Sequence, residues 1–417
     1  MILKKKIAFI VQRYGMEVNG GAEYHCRVIA EKLKDIYDVE VLTSCAKDYL
    51  SWKNEYPEGE SIVNGITVHR FPAKKSRNWK EFNSLSRRLV NKRKLYQKAL
   101  RGFGLLNAFE KLQSTENLQK KEEKWIIDQG PYVPSLINFL TENHQNYDAL
   151  IFFTYLYYPT VYGINLAPQK SILIPTAHDE PPIYLNIFKA LFKKPAAILY
   201  NTLSEQRFVN QQFHNENIFS EIVGIGIDPP KDVKPQSIDN IVKPGDPFLI
   251  YIGRVDPSKG CGILFDYFSA YKKVSNSNLK LVIVGELFMN APANPDIILT
   301  GFVPDEVKTS LLLKAKALVI PSLYESLSLV TLESMAYGVP VIANENCEVL
   351  KDHINNSNAG FLFCNYDSFK NVMDTIANPK FDATILSENA RQYVAANYSW
   401  PATIEKYQKA INYINRR

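Results

Sequence analysis

The run PSLYESLSLVTLESMAYGVPV carries two glutamates, Glu325 and Glu333, eight positions apart. Carboxylates at that spacing can grip the hydroxyls of a sugar. Between them the chain should pass from a loop into a helix. The first N–H groups of a helix lack partners and carry a partial positive charge, which suits a phosphate. A nucleotide sugar needs those parts together. Upstream, FLIYIGRVDPSKGCGILF places Arg254 and Lys259 in a loop that opens at Gly253. Arginine binds phosphate through a fork of N–H groups, and lysine acts as a point charge. The two cations would hold a diphosphate. Taken singly, each motif also fits an ordinary solvated loop.

The elements that must position these groups follow from apolar patterning. AKALVIPS is a continuous apolar run and reads as a buried strand. LVTLESMAYG has helical spacing and stops at Gly338, with Pro340 beyond. Glu325 then lies in the loop and Glu333 one to two turns into the helix. Gly253 permits a tight turn, and Ser258 is placed to cap the helix that follows. Strands and helices alternate along the chain, which argues for parallel α/β layers. The expected strands are KIAFIVQ, VEVLT, ALIFFTY, SILIPT and AAILYN in the first half, and FLIYIG, LKLVIVG, ALVIPS and PVIAN in the second. Gly224 to Pro247 is rich in proline and glycine and reads as a linker. The expected layout is an N-terminal domain at 1–223, a linker at 224–246 and a C-terminal domain at 247–398.

Three further constellations sit at strand ends. Gly20 and Gly21 precede a helix with apolar positions at Val28, Ile29 and Leu33, where glycines let a ligand approach the backbone. His178, Asp179 and Glu180 follow the strand SILIPT, at the end of a parallel strand where ligands gather in open α/β sheets. LKLVIVGE ends at Gly285, and a loop follows at Gly301, Phe302 and Val303. A metal-binding D-x-D pair, a zinc-type Cys/His cluster and a G-K-[ST] phosphate loop are all missing from the sequence, so no cofactor and no metal are expected.

The E-x7-E run, the GR-x4-KG element and the GGAE turn together resemble the retaining glycosyltransferases of family 4. Ser326 and Ser328 stand where that family usually has glycine. The resemblance covers almost the whole chain. It implies the GT-B fold, two Rossmann-like doubly wound domains facing a cleft, with the closing helix at 399–417 crossing back onto the first. It implies that Arg254 and Lys259 bind the donor's phosphates, aided by the amides near Ser328, Leu329 and Val330. Glu325 would bind the sugar and Glu333 the ribose. Gly20, Gly21, Gly253, Gly285, Phe302 and Val303 would complete the donor site. His178 would sit near the transferred sugar, and Asp179 or Glu180 would hold an acceptor hydroxyl. Glu23 reads as structural. The implied activity is retaining, metal-independent transfer of a hexose from a nucleotide diphosphate sugar to a glycan or lipid-linked acceptor in surface glycan synthesis. An epimerase or phosphorylase on the same fold, or a silent nucleotide-binding partner subunit, is the alternative.

Composition sets the frame. The chain has 417 residues, enough for two domains, and is 46% hydrophobic. Five dispersed cysteines without a C-x-x-C pair suggest buried reduced thiols in a cytoplasmic protein. No signal peptide is read at the N-terminus. Lys74 to Lys124 holds fifteen Lys and Arg against five Glu, a charge of 15 − 5 = +10 in a chain of +6. Phe82, Leu85, Leu89, Tyr96, Leu100 and Phe103 recur there near helical spacing, among Arg87, Arg88, Lys92, Arg93, Lys94, Lys98 and Arg101. This insert, taken as 74–130, reads either as an element for an anionic membrane surface or as a solvated helix packed on its own domain. No nucleic-acid motif accompanies the charge.

Overall fold

The structure, a computed structural model, describes residues 4–18, 20–91, 116–228 and 236–416. The chain divides into two compact units, Met1–Ile225 with Thr403–Arg417, and Gly226–Ala402. Each is an α/β unit built on its own sheet.

The first unit holds β1 (Lys6–Ile10), β2 (Asp38–Ser44), β3 (Gly59–Val63), β4 (Ile66–Phe71), β5 (Ala149–Phe153), β6 (Ser171–Ile174), β7 (Ala197–Tyr200) and β8 (Phe219–Ile222). Their order is β3-β4-β2-β1-β5-β6-β7-β8. All neighbours are parallel except β3 and β4. That hairpin turns at Asn64 (φ 50°) and Gly65 (φ 80°), the left-handed pair that Asn-Gly favours. The central strands β1, β5, β6 and β7 are continuous buried apolar runs, as a parallel sheet covered on both faces requires. The run from Leu150 to Ala167 resolves into β5 and a short helix, Tyr158–Gly163. From the C-terminal helix Trp400–Ile414, Lys406 Nζ donates to the Ile222 carbonyl at 2.7 Å, and Tyr413 stacks on Phe219 at 4.2 Å.

The second unit holds β9 (Phe248–Ile252), β10 (Lys280–Val284), β11 (Ile297–Gly301), β12 (Ala317–Ile320), β13 (Val341–Asn344) and β14 (Gly360–Phe363). The order is β11-β10-β9-β12-β13-β14, parallel throughout.

The basic insert is partly described. Helix Trp79–Ser86, a short π-helical turn at Arg87–Asn91 and helix Glu116–Gln129 belong to it. Phe82 and Leu85 pack against the first unit's core, and Leu89 is buried in it. Trp125 lies 5.6 Å from Phe82 and donates its Nε1–H to Ser86 at 2.8 Å. These apolar side chains are therefore packed, wholly or in part, into their own unit. Tyr96, Leu100, Phe103, Lys92, Arg93, Lys94, Lys98 and Arg101 lie outside the described residues, as does 229–235 of the linker. Of the five free cysteines, Cys364 is exposed, which corrects the expectation of buried thiols for that one. No helix among the described residues is long and apolar enough to cross a membrane.

Candidate functional site

In an open parallel sheet, ligands bind beyond the strand ends where the strand order reverses. In the second unit the reversal lies between β9 and β12, which are neighbours although far apart in sequence. The loops that leave them are those of Arg254 and Lys259, and of Glu325.

After β9 the chain turns at Gly253 (φ 150°), whose carbonyl lies so close to Gly285 that a Cβ there would sit 1.9 Å from it. Only a glycine at 285 lets these two strand ends meet. Asp256 then organises the loop. Its Oδ1 accepts the amides of Ser258 at 2.8 Å and Lys259 at 3.1 Å, and the Ser258 hydroxyl at 2.5 Å. Its Oδ2 accepts Arg254 Nε. Burial works to raise this carboxyl, but the Ser258 hydroxyl and the Arg254 charge outweigh it and hold it below the ordinary range. Ser258 lies inside a short 3-10 turn and caps no helix. Helix Cys261–Val274 starts from Gly260 instead, in left-handed geometry (φ 74°). A Cβ at Gly260 would meet the Pro321 carbonyl at 2.3 Å, so this glycine brings the two loops together. Across that contact Lys259 Nζ and Glu325 Oε1 form an ion pair at 2.8 Å.

Helix Leu329–Ala336 begins at Ser328, which is left-handed (φ 60°) and bonds Thr331 side chain to side chain at 2.8 Å. A serine holds a conformation that favours glycine. The amides of Thr331 and Leu332 turn back to the Ser328 carbonyl, which among the described residues leaves those of Leu329 and Val330 as the helix's open donors. Glu333, one turn on, is half-buried, and its carboxylate accepts no hydrogen bond among the described residues; burial raises its pKa, with Lys308 opposing. Phe302 is 76% exposed beyond β11, and Val303 is half-buried beside it. Arg254, Lys259, Glu325, Ser328, Leu329 and Val330 are thus brought to one pair of adjoining loops.

In the first unit the reversal falls between β1 and β5, and Thr154 Oγ1 donates to Gln12 Oε1 across it at 3.0 Å. Arg13, after β1, pairs with Glu23 at 2.6 Å and donates to the Lys47 carbonyl at 2.6 Å. A Cβ on Gly20 would fall 2.2 Å from Glu23 Oε2, whereas nothing lies within 4 Å of one on Gly21. Gly20 accommodates the ion pair, Gly21 faces open space, and Glu23 is structural. Beyond β6, His178 Nε2 lies 3.5 Å from Glu180 Oε2. Tyr155 donates to Glu180 at 2.7 Å, and Tyr184 to Asp179 at 2.6 Å. Both proposed acceptor carboxylates are therefore held by tyrosines. Thr154 (φ 64°) and Thr176 (φ 50°) are left-handed beside them, a strained state for β-branched residues and one that marks functional loops.

Sequence reasoning missed the groups behind these loops. Asp256 was signalled by its Asp-Pro-Ser context, a turn opener with a capping carboxylate. His353, fully buried, bonds the Leu327 carbonyl at 2.8 Å and the Tyr393 hydroxyl at 3.0 Å, and so fixes the Glu325 loop from behind; burial lowers its pKa, so it stays neutral. No local signal marks it. Glu205 accepts the amides of Ala177 at 2.5 Å and Asn201 at 2.6 Å, joining the loops after β6 and β7. Burial pushes it up to about 8, against those amides and the His178 charge. The Thr202-x-x-Glu205 spacing of a capping box was its signal.

Comparison with known proteins fits this geometry. Residues 233–393, within the second unit, match the family model for glycosyl transferases group 1. An uncharacterized glycosyltransferase of Methanocaldococcus jannaschii is 26% identical over 191 residues, 42% of this chain and 48% of that protein. The chain spans about half the length of the curated relatives it matches. Sucrose-phosphate synthase from Thermosynechococcus elongatus superposes with a TM-score of 0.69 at 16% identity, covering 99% of this chain and 100% of that one. Anabaena HepE in complex with UDP-glucose superposes with a TM-score of 0.66 at 15% identity, with the same coverage. The fold is GT-B, and with the family match it supports a group 1 glycosyltransferase. Neither an epimerase or phosphorylase nor a silent subunit is favoured.

Proposed function

We propose that this protein transfers a hexose from a nucleotide diphosphate sugar to a hydroxyl of a glycan or lipid-linked acceptor, with retention and without a metal ion. The observation that carries the reading is the meeting of Arg254, Lys259 and Glu325 at the strand-order reversal of the second unit, beside the open amides of Leu329 and Val330. Those cations and amides take the diphosphate, as fixed donors aimed at charge that grows as the bond breaks. Glu325 holds sugar hydroxyls and Glu333 the ribose. The acceptor oxygen forms its bond to the anomeric carbon as the carbon–phosphate oxygen bond breaks on the same face. The acceptor's proton passes to the leaving phosphate oxygen. His178, Asp179 and Glu180 act from the first unit on sugar and acceptor. On this reading the fixed cations do the work of a metal. The free, dispersed cysteines suit a cytoplasmic setting.

UDP-glucose is the first donor to test, because a structural neighbour holds it. A thermal-shift panel of nucleotide diphosphate sugars decides the donor: a ligand at about a hundred times its dissociation constant adds roughly 2.7 kcal/mol. Proton NMR of the product reports the anomeric configuration. Transfer should persist in a chelator; full loss, restored by magnesium or manganese, refutes the metal-free mechanism.

A further inference from the structure

Arg77, a few residues beyond β4, carries a half-buried guanidinium whose contact partners among the described residues are all neutral. Its Nη2 donates to the Gln129 carbonyl. The rings of Trp52, Trp79 and Phe82 lie 5.4, 4.9 and 5.1 Å from its Cζ. Its Nε–H is buried and donates to nothing among the described residues. The charges around it are answered elsewhere. Arg13 is paired with Glu23, while Lys75 and Lys124 share Asp128. Asp48 acts on Arg77 only from a distance, since its oxygens accept the amides of Leu50 at 3.0 Å and Ser51 at 2.8 Å. Ring faces offset part of the desolvation of a cation, but they fill no directed N–H donor. A buried donor left open in a folded protein calls for a partner.

The position of Arg77 says where that partner comes from. Trp52 donates its Nε1–H to the same Gln129 carbonyl at 2.7 Å, and its ring meets Tyr157 edge-on at 5.6 Å. Tyr157 follows β5, at the strand-order reversal of the first unit. Trp52 is itself left-handed (φ 56°), an outlier for a bulky residue. Arg77 is thus tied, through the Trp52 ring, to the carboxyl edge of the sheet where a ligand of this unit would lie.

We propose that Arg77 anchors an oxyanion subsite, which takes a phosphate or carboxylate group carried by the acceptor. This rests on the reading above that the first unit binds the acceptor. An arginine fork suits either group, and a neutral sugar gains nothing from it.

The test is calorimetric titration with glucose 6-phosphate, glucuronate, inorganic phosphate and glucose. It is run in an Arg254→Ala/Lys259→Ala background, so that the second unit's phosphate cations are gone. With Arg77 intact, at least one of the three anions should bind and glucose should bind more weakly. Preference for glucose 6-phosphate over glucuronate assigns a phosphate acceptor, and the reverse a carboxylate. Adding Arg77→Gln should weaken anion binding about ten- to a hundredfold. Arg70 is a control. It is 4% exposed, donates to the Tyr14 carbonyl at 2.8 Å and lies 3.9 Å from the Tyr56 ring. Arg70→Gln should lower the melting temperature and leave anion affinity unchanged. If Arg77→Gln does not fold, Arg77→Lys keeps the charge without the fork, and binding should still fall. Anion binding that is already absent with Arg77 intact, or that is unchanged by either Arg77 variant, overturns the subsite. UDP-glucose titration of the parent protein tests the transferase reading separately, so the two failures are told apart.

Discussion

Lys259→Ala should abolish most transfer while leaving the second unit folded. The structure sets the scale of both effects. Lys259 pairs with Glu325 at 2.8 Å, with side chains 32% and 15% exposed. A half-buried ion pair whose lysine is about a third exposed contributes on the order of 1 kcal/mol to folding. In a unit of this size one kcal/mol moves the melting temperature by roughly 2–4 °C. Loss of one fixed donor to a developing charge costs about a hundred- to a thousandfold in rate, or about 2.7–4 kcal/mol. The kinetic effect should therefore exceed the structural one severalfold in energy. The assay is transfer from UDP-glucose alongside thermal melting, with circular dichroism to establish folding. Glu325→Gln on top of Lys259→Ala should recover the melting temperature, because it removes the carboxylate left without a partner, but should not recover transfer. Transfer by Lys259→Ala within a few-fold of the parent, at a melting temperature only slightly lowered, would refute the donor-site assignment.

Glu333→Ala should raise the Michaelis constant for the donor with little change in kcat, since a ribose contact is made equally in ground and transition states; donor-varied kinetics check this. Glu205 is raised to about 8 by burial, so the folded chain binds more protons than the unfolded one between the ordinary glutamate value and that pH, and stability should fall as pH rises through the window. Glu205→Gln should flatten that slope in melts from pH 4 to 9, and should cost on the order of 1–3 kcal/mol because its NH2 group must face one of two donating amides. Leu89→Ala should cost about 2–5 kcal/mol, as removal of a buried leucine does, measurable by denaturant unfolding; an effect near zero would return the insert's apolar stripe to a membrane role.

The sequence exposed the parts of the fold that are buried on both faces. β1, β5, β6, β7, β9, β10, β12 and β13 are central strands and stand out as continuous apolar runs. The strands that escaped notice have a weaker pattern for a physical reason. β3, β8, β11 and β14 are sheet edges, and β3 and β8 have no fully buried residue. β4 alternates buried and half-buried positions along ITVHRF. An edge strand need not be apolar, so its residues look like loop. The same divide separates the site residues. Arg254, Lys259 and Glu325 are set by short segments next to strong strands, and their spacing is enough to place them. His353 reaches the Glu325 loop from 26 residues away, and Arg13 meets Lys47 from 34. Contacts of that kind depend on the packed sheet and leave no local trace.

The pairing of the donor loops has a consequence for binding. Arg254 is taken by Asp256 and Lys259 by Glu325, so without a ligand these two loops contribute two cations and two carboxylates, with no net charge. Beyond the partial charge of the helix N-terminus at Leu329, attraction for a diphosphate must then come from rearrangement of the side-chain charges. Asp256 is held by three further donors besides Arg254 and is not free to leave. Among the described residues Lys259 is the only side-chain partner of the Glu325 carboxylate, which sits in an irregular loop, so the Lys259–Glu325 pair is the one that can open. On the proposed reading, a diphosphate draws Lys259 away and releases Glu325 to the sugar hydroxyls, so phosphate and sugar recognition are exchanged through a single ion pair. A free diphosphate without the sugar strands Glu325, which is 15% exposed, with no partner for its charge. The intact nucleotide sugar supplies both replacements at once, which gives the site a reason to prefer donor over product.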